Sequence, residues 1–173
     1  DDWRMPTIKD LYSLIDFRGY IDPQGDNSVP FIDTDYFEFV YGDEDAGERL
    51  IDSQDWTATE YVHFTMNNDS TVFGVNFADG RIKGYPKYIR QGQGQAPNQM
   101  YIRYVRGNPE YGINNFRDGE STIMDDATGL MWLKPDSQEG LNWEEALAWV
   151  VSKNENELYE YSDWRLPNVK ELQ

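Results

Sequence analysis

The segment "DWRMPTIKDLY" at residues 2–12 returns as "DWRLPNVKELQ" at residues 163–173, with Trp3 and Trp164 lying 161 positions apart. A close-packed interior has one place for one element, so a single folded domain has room for only one copy of this stretch. The other copy is a truncated end, or it belongs to a place in a neighbouring domain. Residues 2–162 therefore make one full period, and the last eleven residues open another.

Each copy reads as the anchored start of a helix. Trp3 and Trp164 are bulky anchors, and Arg4 and Arg165 can hydrogen-bond nearby carbonyls or carboxylates while stacking on aromatic rings. Pro6 and Pro167 suit a first helical turn, whose amide needs no partner. After the first copy, Ile8, Leu11, Leu14 and Ile15 fall on one stripe, which predicts a helix from about Pro6 to Ile15. These six anchoring residues are scaffold, and they are also the parts through which repeated units would join.

The following "FRGYIDPQGDNSVPFIDTDYFEFVYGDEDAGERLIDSQDW" has Gly, Pro and Asp at short intervals and predicts a long, ordered loop region with short strands. "TVFGVNFADGRIKGYPK" places β-favouring flanks around Asp79-Gly80 and predicts a hairpin. "RQGQGQAPNQ" reads as a mobile loop. "MYIRYVRG" reads as a strand with Tyr101, Arg103 and Val105 on one face. A second hairpin is expected in "STIMDDATGLMWLK", turning at Asp126 to Gly129. Asn142, with Glu145 three residues on, forms a capping-box signature ahead of a helix whose stripe of Trp143, Ala146, Leu147 and Val150 should be buried. The order of elements predicts an α+β fold with short antiparallel sheets, two helices and long loops.

Composition narrows the partners. With 32 acidic residues against 15 basic, the net charge of −17 disfavours nucleic acid and anionic lipid surfaces. Cysteine is absent, which removes a disulfide framework, a thiolate nucleophile and a cysteine-bound zinc. No apolar run approaches the roughly 20 residues needed to span a bilayer, so membrane insertion is not expected. A mature secreted segment whose signal lies upstream would read the same way.

Taken together, "GLMW", "LNWEEALAW", "DWRLPNVKEL", "DWRMPTIKDLYSLID", "FGVNFADGRIKGY" and "YIRYVRG" resemble the bacterial Lcl C-terminal domain family. The resemblance implies a fold related to C-type lectins, a secreted or cell-surface location, and ligand-binding or adhesive roles. In the family, "GLMW" and the first helix precede "DWRLP", and "ADGR" and the closing "VRG" strand follow it. Here the halves are circularly shifted: 1–107 is similar to the second half of one domain, 108–115 to a linker, and 116–173 to the first half of the next. Many members carry cysteine where this chain has Val150 and Tyr104, a pair that would tie the helix to the last strand. Apolar packing can replace that staple.

Candidate chemistry is sparse. His63, the single histidine, sits in "YVHFTM", read as a strand; without cysteine or a nucleophile-elbow motif it makes a poor base for a catalytic triad. The formylglycine-generating enzymes share a related fold but work through cysteines, which this chain lacks. Asp33, Asp35, Asp43 and Asp45 could supply oxygen ligands to calcium, the one cofactor considered, although a solvated acidic loop accounts for them as well. Trp56, Glu60, Tyr61, Asp79, Arg81 and Tyr85 could form a sugar site, with aromatic faces stacking on pyranose rings and the polar groups meeting hydroxyls; core packing accounts for the same aromatics. Sulfated glycans should be repelled unless Arg81, Lys83, Lys87 and Arg90 gather into a local basic patch. The reading favoured by the sequence is a non-enzymatic extracellular adhesion or glycan-binding module of a repeat array, partnered by its own copies or neighbouring repeats. The alternatives are a filament subunit that exchanges half-domains and a carboxylate-based glycoside hydrolase working through Glu60.

Overall fold

The computed structural model of the chain describes residues 2–23 and 27–173. It forms two compact units that divide between Tyr111 and Gly112, within the stretch read as a linker. The architecture is mixed α and β, with short antiparallel sheets and two α-helices.

In the first unit, α1 (Ile8–Tyr12) starts at a complete capping box. The Asp10 amide donates to the Thr7 hydroxyl at 3.2 Å, and the Thr7 amide donates to the Asp10 carboxylate at 2.8 Å. The helix is shorter than the predicted Pro6–Ile15, because Pro6 precedes the Thr7 cap instead of opening the first turn. Beyond Tyr12 the amides of Leu14 and Ile15 reach back only three residues, to Leu11 and Tyr12, the tighter bonding common where an α-helix ends. The predicted stripe still does its job: Leu11 and Ile15 are buried with Tyr12, Ile32, Val75 and Phe77 in one core, and Ile8 and Leu14 pack against it. Each such side chain contributes about 1.5–3 kcal/mol by leaving water.

The sheet beneath α1 has the order β1 (Gln54–Glu60), β2 (Thr71–Asn76), β3 (Arg81–Pro86), all antiparallel. Central β2 is buried except at Phe73, which is half-buried. The predicted hairpin forms, with Gly80 in the left-handed region at φ 68°, a conformation open to glycine at little cost. Its connection spans 77–80, and Phe77 and Ala78 within it are fully buried.

Three expectations change here. The glycine- and glutamine-rich "mobile loop" pairs as a hairpin of β4 (Tyr88–Gln91) and β5 (Gly94–Pro97), turned at Gly92 with φ 60°. The strand expected at 100–107 is held at two points only: Tyr101 pairs beside Asp55, and Val105 pairs with Arg4. Between those points Arg103 turns inward, 3.6 Å from the Asp55 carboxylate and 5.4 Å from the centre of the Phe77 ring. Burial pushes the Asp55 carboxyl above its ordinary range, and the Arg103 charge opposes that rise. His63 lies in the loop after β1, exposed, and not on a strand.

The second unit contains β6 (Phe116–Asp118), β7 (Thr122–Asp125) and β8 (Leu130–Leu133) in that antiparallel order, followed by α2 (Trp143–Glu155). The β7–β8 turn closes on Gly129 at φ 72°. Asp125 fixes it: its fully buried carboxylate accepts the Asn115 amide (2.8 Å), the Asn114 side chain (2.8 Å), the Thr128 hydroxyl (2.9 Å) and the Ala127 amide (3.1 Å). Those bonds, the Asn115 amide foremost, hold its pKa at about 2. The predicted Asn142–Glu145 capping box is present, with bonds of 2.8 and 2.9 Å.

The predicted burial of the α2 stripe is not present. Trp143 is 68% and Leu147 45% exposed, and no residue of α2 is buried. Among residues 112–173 the single buried residue is Asp125. Hydrophobic spacing names the face of a helix that should be covered; here Ala146 and Val150 are half-buried along a groove shared with β8, while Trp143 and Leu147 stay open.

Replacing Leu11 with Ala should cost about 2–5 kcal/mol in urea unfolding of the chain, the range for emptying a packed leucine site. Because the Asp125 carboxyl titrates below its unfolded value, its stabilisation is complete above about pH 4 and is lost as pH falls towards 2. Helix signal followed by circular dichroism should decline over that window. Asp125→Asn should lower the urea midpoint at pH 7 and weaken the acid dependence.

Candidate functional site

Two features of the first unit place its candidate residues. Across the β1–β2 pair Trp56 stands opposite Gly74, and across β2–β3 Gly74 stands opposite Lys83. The Tyr85 ring fills the room Gly74 leaves, 2.7 Å from where a Cβ would stand. Trp56 meets Tyr85 edge to face at 6.5 Å, a favoured aromatic geometry. One residue back, Gly84 leaves the same room on the other face, where the Tyr61 hydroxyl lies 2.8 Å from its would-be Cβ. Tyr61 stacks on Phe73 with centroids 4.0 Å apart. Trp56 and Tyr85 thus share one face of the sheet, and Tyr61 lies on the opposite one.

The polar candidates divide likewise. Asp79, in the 77–80 turn, is buried and ion-paired with Lys83, and its Oδ1 has no hydrogen-bond partner among the described residues. Arg81 is exposed at the start of β3. Glu60 sits at the far end of the sheet opposite Val72, paired with Lys87 at 2.7 Å. Val72 and Asn76, which flank the two ends of β2, are about 13 Å apart at the usual strand rise. Glu60 and Asp79 therefore do not form the close carboxylate pair of a glycosidase. The structure sets Trp56, Tyr85 and Glu60 on one face, Glu60 and Tyr85 both opposite Val72, with the Asp79 charge acting on Tyr85 and Arg81 at the other end of β3; Tyr61 lies on the opposite face. Of the basic residues Arg81, Lys83, Lys87 and Arg90, two are neutralised by Asp79 and Glu60.

Several residues around Tyr85 carried no sequence signal. Asn76, fully buried, donates to the Ile51 carbonyl at 2.7 Å and accepts the Ala78 amide at 2.9 Å, tying the turn to the 49–53 loop. In that loop Arg49 and Asp52 pair at 2.6 Å, and the Arg49 guanidinium holds the Asp52 pKa at about 2. Burial, helped by the Asp79 charge, pushes the Tyr85 phenol well above its ordinary value. The Tyr85 hydroxyl is buried without a hydrogen-bond partner of normal geometry among the described residues.

Of the four calcium candidates, two have carboxylates that accept backbone amides. Asp33 accepts the Asp35 amide, and Asp43 caps a short 3-10 turn at Glu44–Ala46 through the amides of Asp45 and Ala46. No group of three or more His, Asp or Glu side chains among the described residues is placed to hold a metal ion.

The repeated motif is built twice in the same way. In the first unit the Arg4 guanidinium donates to Asp10 at 2.6 and 3.2 Å while Asp10 also closes the Thr7 capping box. In the second, Arg165 pairs with Glu171, whose carboxylate accepts the Asn168 amide at 2.7 Å while its own amide donates to Asn168 Oδ1 at 3.0 Å. Arg165, followed by the Asn168 amide, holds the Glu171 pKa at about 2. Burial raises the Asp10 carboxyl, but the bonds from Arg4 and Thr7 outweigh it and leave the pKa lowered.

The surroundings of the two tryptophans differ. The Trp164 amide donates to Asn154 Oδ1 at 2.8 Å, Asn154 Nδ2 donates to the Trp164 carbonyl at 2.8 Å, and the indole N–H donates to the Leu158 carbonyl at 3.0 Å. Trp3 is 57% exposed, with Arg106 over its ring at 5.7 Å.

Residues 121–173 match the family model of the Lcl C-terminal domain. The matched stretch runs from the β7–β8 hairpin through α2 to the second Asp-Trp-Arg-Leu-Pro, and it falls wholly in the second unit. No curated protein and no solved structure matches the chain.

Since a buried hydroxyl without a partner costs about 1–3 kcal/mol, Tyr85→Phe should leave stability unchanged or raise it in thermal unfolding. Gly74→Ala should lower it, because a Cβ there meets the Tyr85 ring.

Proposed function

We propose that the chain is a non-enzymatic binding and adhesion module of a repeated, secreted or surface-exposed bacterial array, with a C-type-lectin-like fold carried as shifted halves. The observation that carries this reading is the double construction of one motif: the same arginine clamp and capping-box bonds in each unit, opening α1 in the first and a turn in the second, which lies within the stretch matching the Lcl C-terminal domain model. Two joints with the same clamp on one chain suit an array of like units better than a single self-contained receptor.

The binding surface is the sheet face bearing Trp56 and Tyr85, with Arg81 at its edge. The half-buried Trp56 indole, with the Tyr85 ring edge to face against it, offers an apolar surface, and Arg81 offers donors for hydroxyl or carbonyl oxygens. Because Lys83 and Lys87 already have acidic partners, the surface suits an uncharged glycan. No helix among the described residues is long and apolar enough to cross a membrane, and that fits a module displayed outside the bilayer.

Titration with a panel of neutral bacterial and host polysaccharides, followed by tryptophan fluorescence and calorimetry, tests this. Binding should weaken at least about tenfold in Trp56→Ala, the loss of roughly 1.4 kcal/mol expected for a stacking ring. EDTA should leave it unchanged. An unresponsive panel, or a Trp56→Ala variant that binds as well as the parent, sinks the proposal.

A further inference from the structure

We propose that residues 112–173 are completed by a second copy of this chain, whose first unit receives helix α2 in the recess beside Arg4, Arg103 and Arg106. The need lies in the second unit. It has a sheet, a capped helix and one buried residue, which is polar. Its apolar side chains instead line an open groove of about 880 Å³, walled by Leu130, Trp132, Trp149, Val150 and Leu166. A unit this small without a core needs an outside source of burial to be stable.

The first unit has a core, yet beside α1 it keeps an open recess of about 630 Å³ with Pro6, Leu14 and Phe37 in its lining. Ile102 and Tyr104 also line it, and Tyr104 is 66% exposed. Three arginines line it, and each already has a carboxylate partner: Arg4 with Asp10, Arg103 with Asp55 and Arg106 with Asp2. Helix α2 leaves Trp143, Leu147 and Val151 exposed. The two sides therefore share exposed apolar surface, and its burial is what their contact gains.

The repeated motif gives the register. Asn154 and Leu158, at the end of α2, hold the Trp164 backbone and indole. In the first unit the matching Trp3 stands exposed beside the recess-lining Arg106. An incoming copy therefore places its Trp3–Pro6 where Trp164–Pro167 now sits, exchanging like for like. The two surfaces are different patches present on every copy, so the contact runs head to tail and propagates as an open chain of subunits. This assembly does not depend on the sheet face binding a sugar, and its test has a separate readout.

The chain has no cysteine, so single variants Tyr104→Cys and Val150→Cys each carry one thiol. Mixed under mild oxidation, the two should form a disulfide-linked dimer at least tenfold more abundant than either yields alone. The double variant should give a ladder of linked oligomers on a non-reducing gel, and the unmodified chain should gain mass with concentration in sedimentation. Three results would overturn the proposal: a double variant that closes into a cross-linked monomer, a mixture that links no better than its components, or a single monomer throughout the concentration series. Since the unmodified chain reports on its own, poor folding of a cysteine variant does not shelter the idea.

Discussion

Asp10 accepts the amide that starts a helix and the guanidinium of an arginine six residues upstream, and the first unit is organised around that double bond. Charge-assisted bonds of this kind are about twice as strong as neutral ones. Here they join three things at once: the chain before the helix, the first helical turn, and the segment reached by Arg4 through its backbone pairing with Val105 and its bond to the Asn108 carbonyl. With α1 so fixed, Leu11 and Ile15 are delivered to the face of β2 that carries Val75. The opposite face is left to Trp56 and Tyr85. The second unit has the same clamp, in Arg165, Asn168 and Glu171, with no buried apolar side chain to follow it.

What the sequence discloses and what it conceals follow from the range of the interactions. The Asn142–Glu145 capping box and the hairpins at Asp79-Gly80 and Asp126–Gly129 depend on residues a few positions apart and can be read from spacing; the Thr7–Asp10 box has the same span, but Pro6 beside it reads as a first helical residue and draws the expected start forward. The glycine- and glutamine-rich 88–97 hairpin escaped notice because its residues are poor strand formers that pair around Gly92 all the same. The 100–107 stretch looked like a strand because its alternation was sound. Pairing at only two points and the inward turn of Arg103 towards Asp55 are long-range facts, invisible to any window along the chain.

The candidate site was partly legible for a related reason. Trp56 and Tyr61 are five positions apart, and in a strand an odd spacing already implies opposite faces. The β1–β2 register shift between Trp56 and Glu60 sets four residues against two and so preserves that parity. Recognising β1 as running from Gln54 would have separated the two rings in advance. The parts played by Asn76, Arg49 and Asp52 could not have been anticipated, because they arise where a distant loop meets the hairpin turn.

The α2 stripe teaches the converse. Its period is right, its cap is right, and its burial is absent, because amphipathicity states a requirement without naming who meets it. Asn154 sharpens the point: its amide grips the main chain of Trp164, and the third bond goes from the indole to the Leu158 main-chain oxygen. A grip of that sort is blind to the side chain two positions after the tryptophan, which is Met5 in one copy and Leu166 in the other. Repeats held this way can drift apart in their outer surfaces over evolutionary time and still remain interchangeable at their ends.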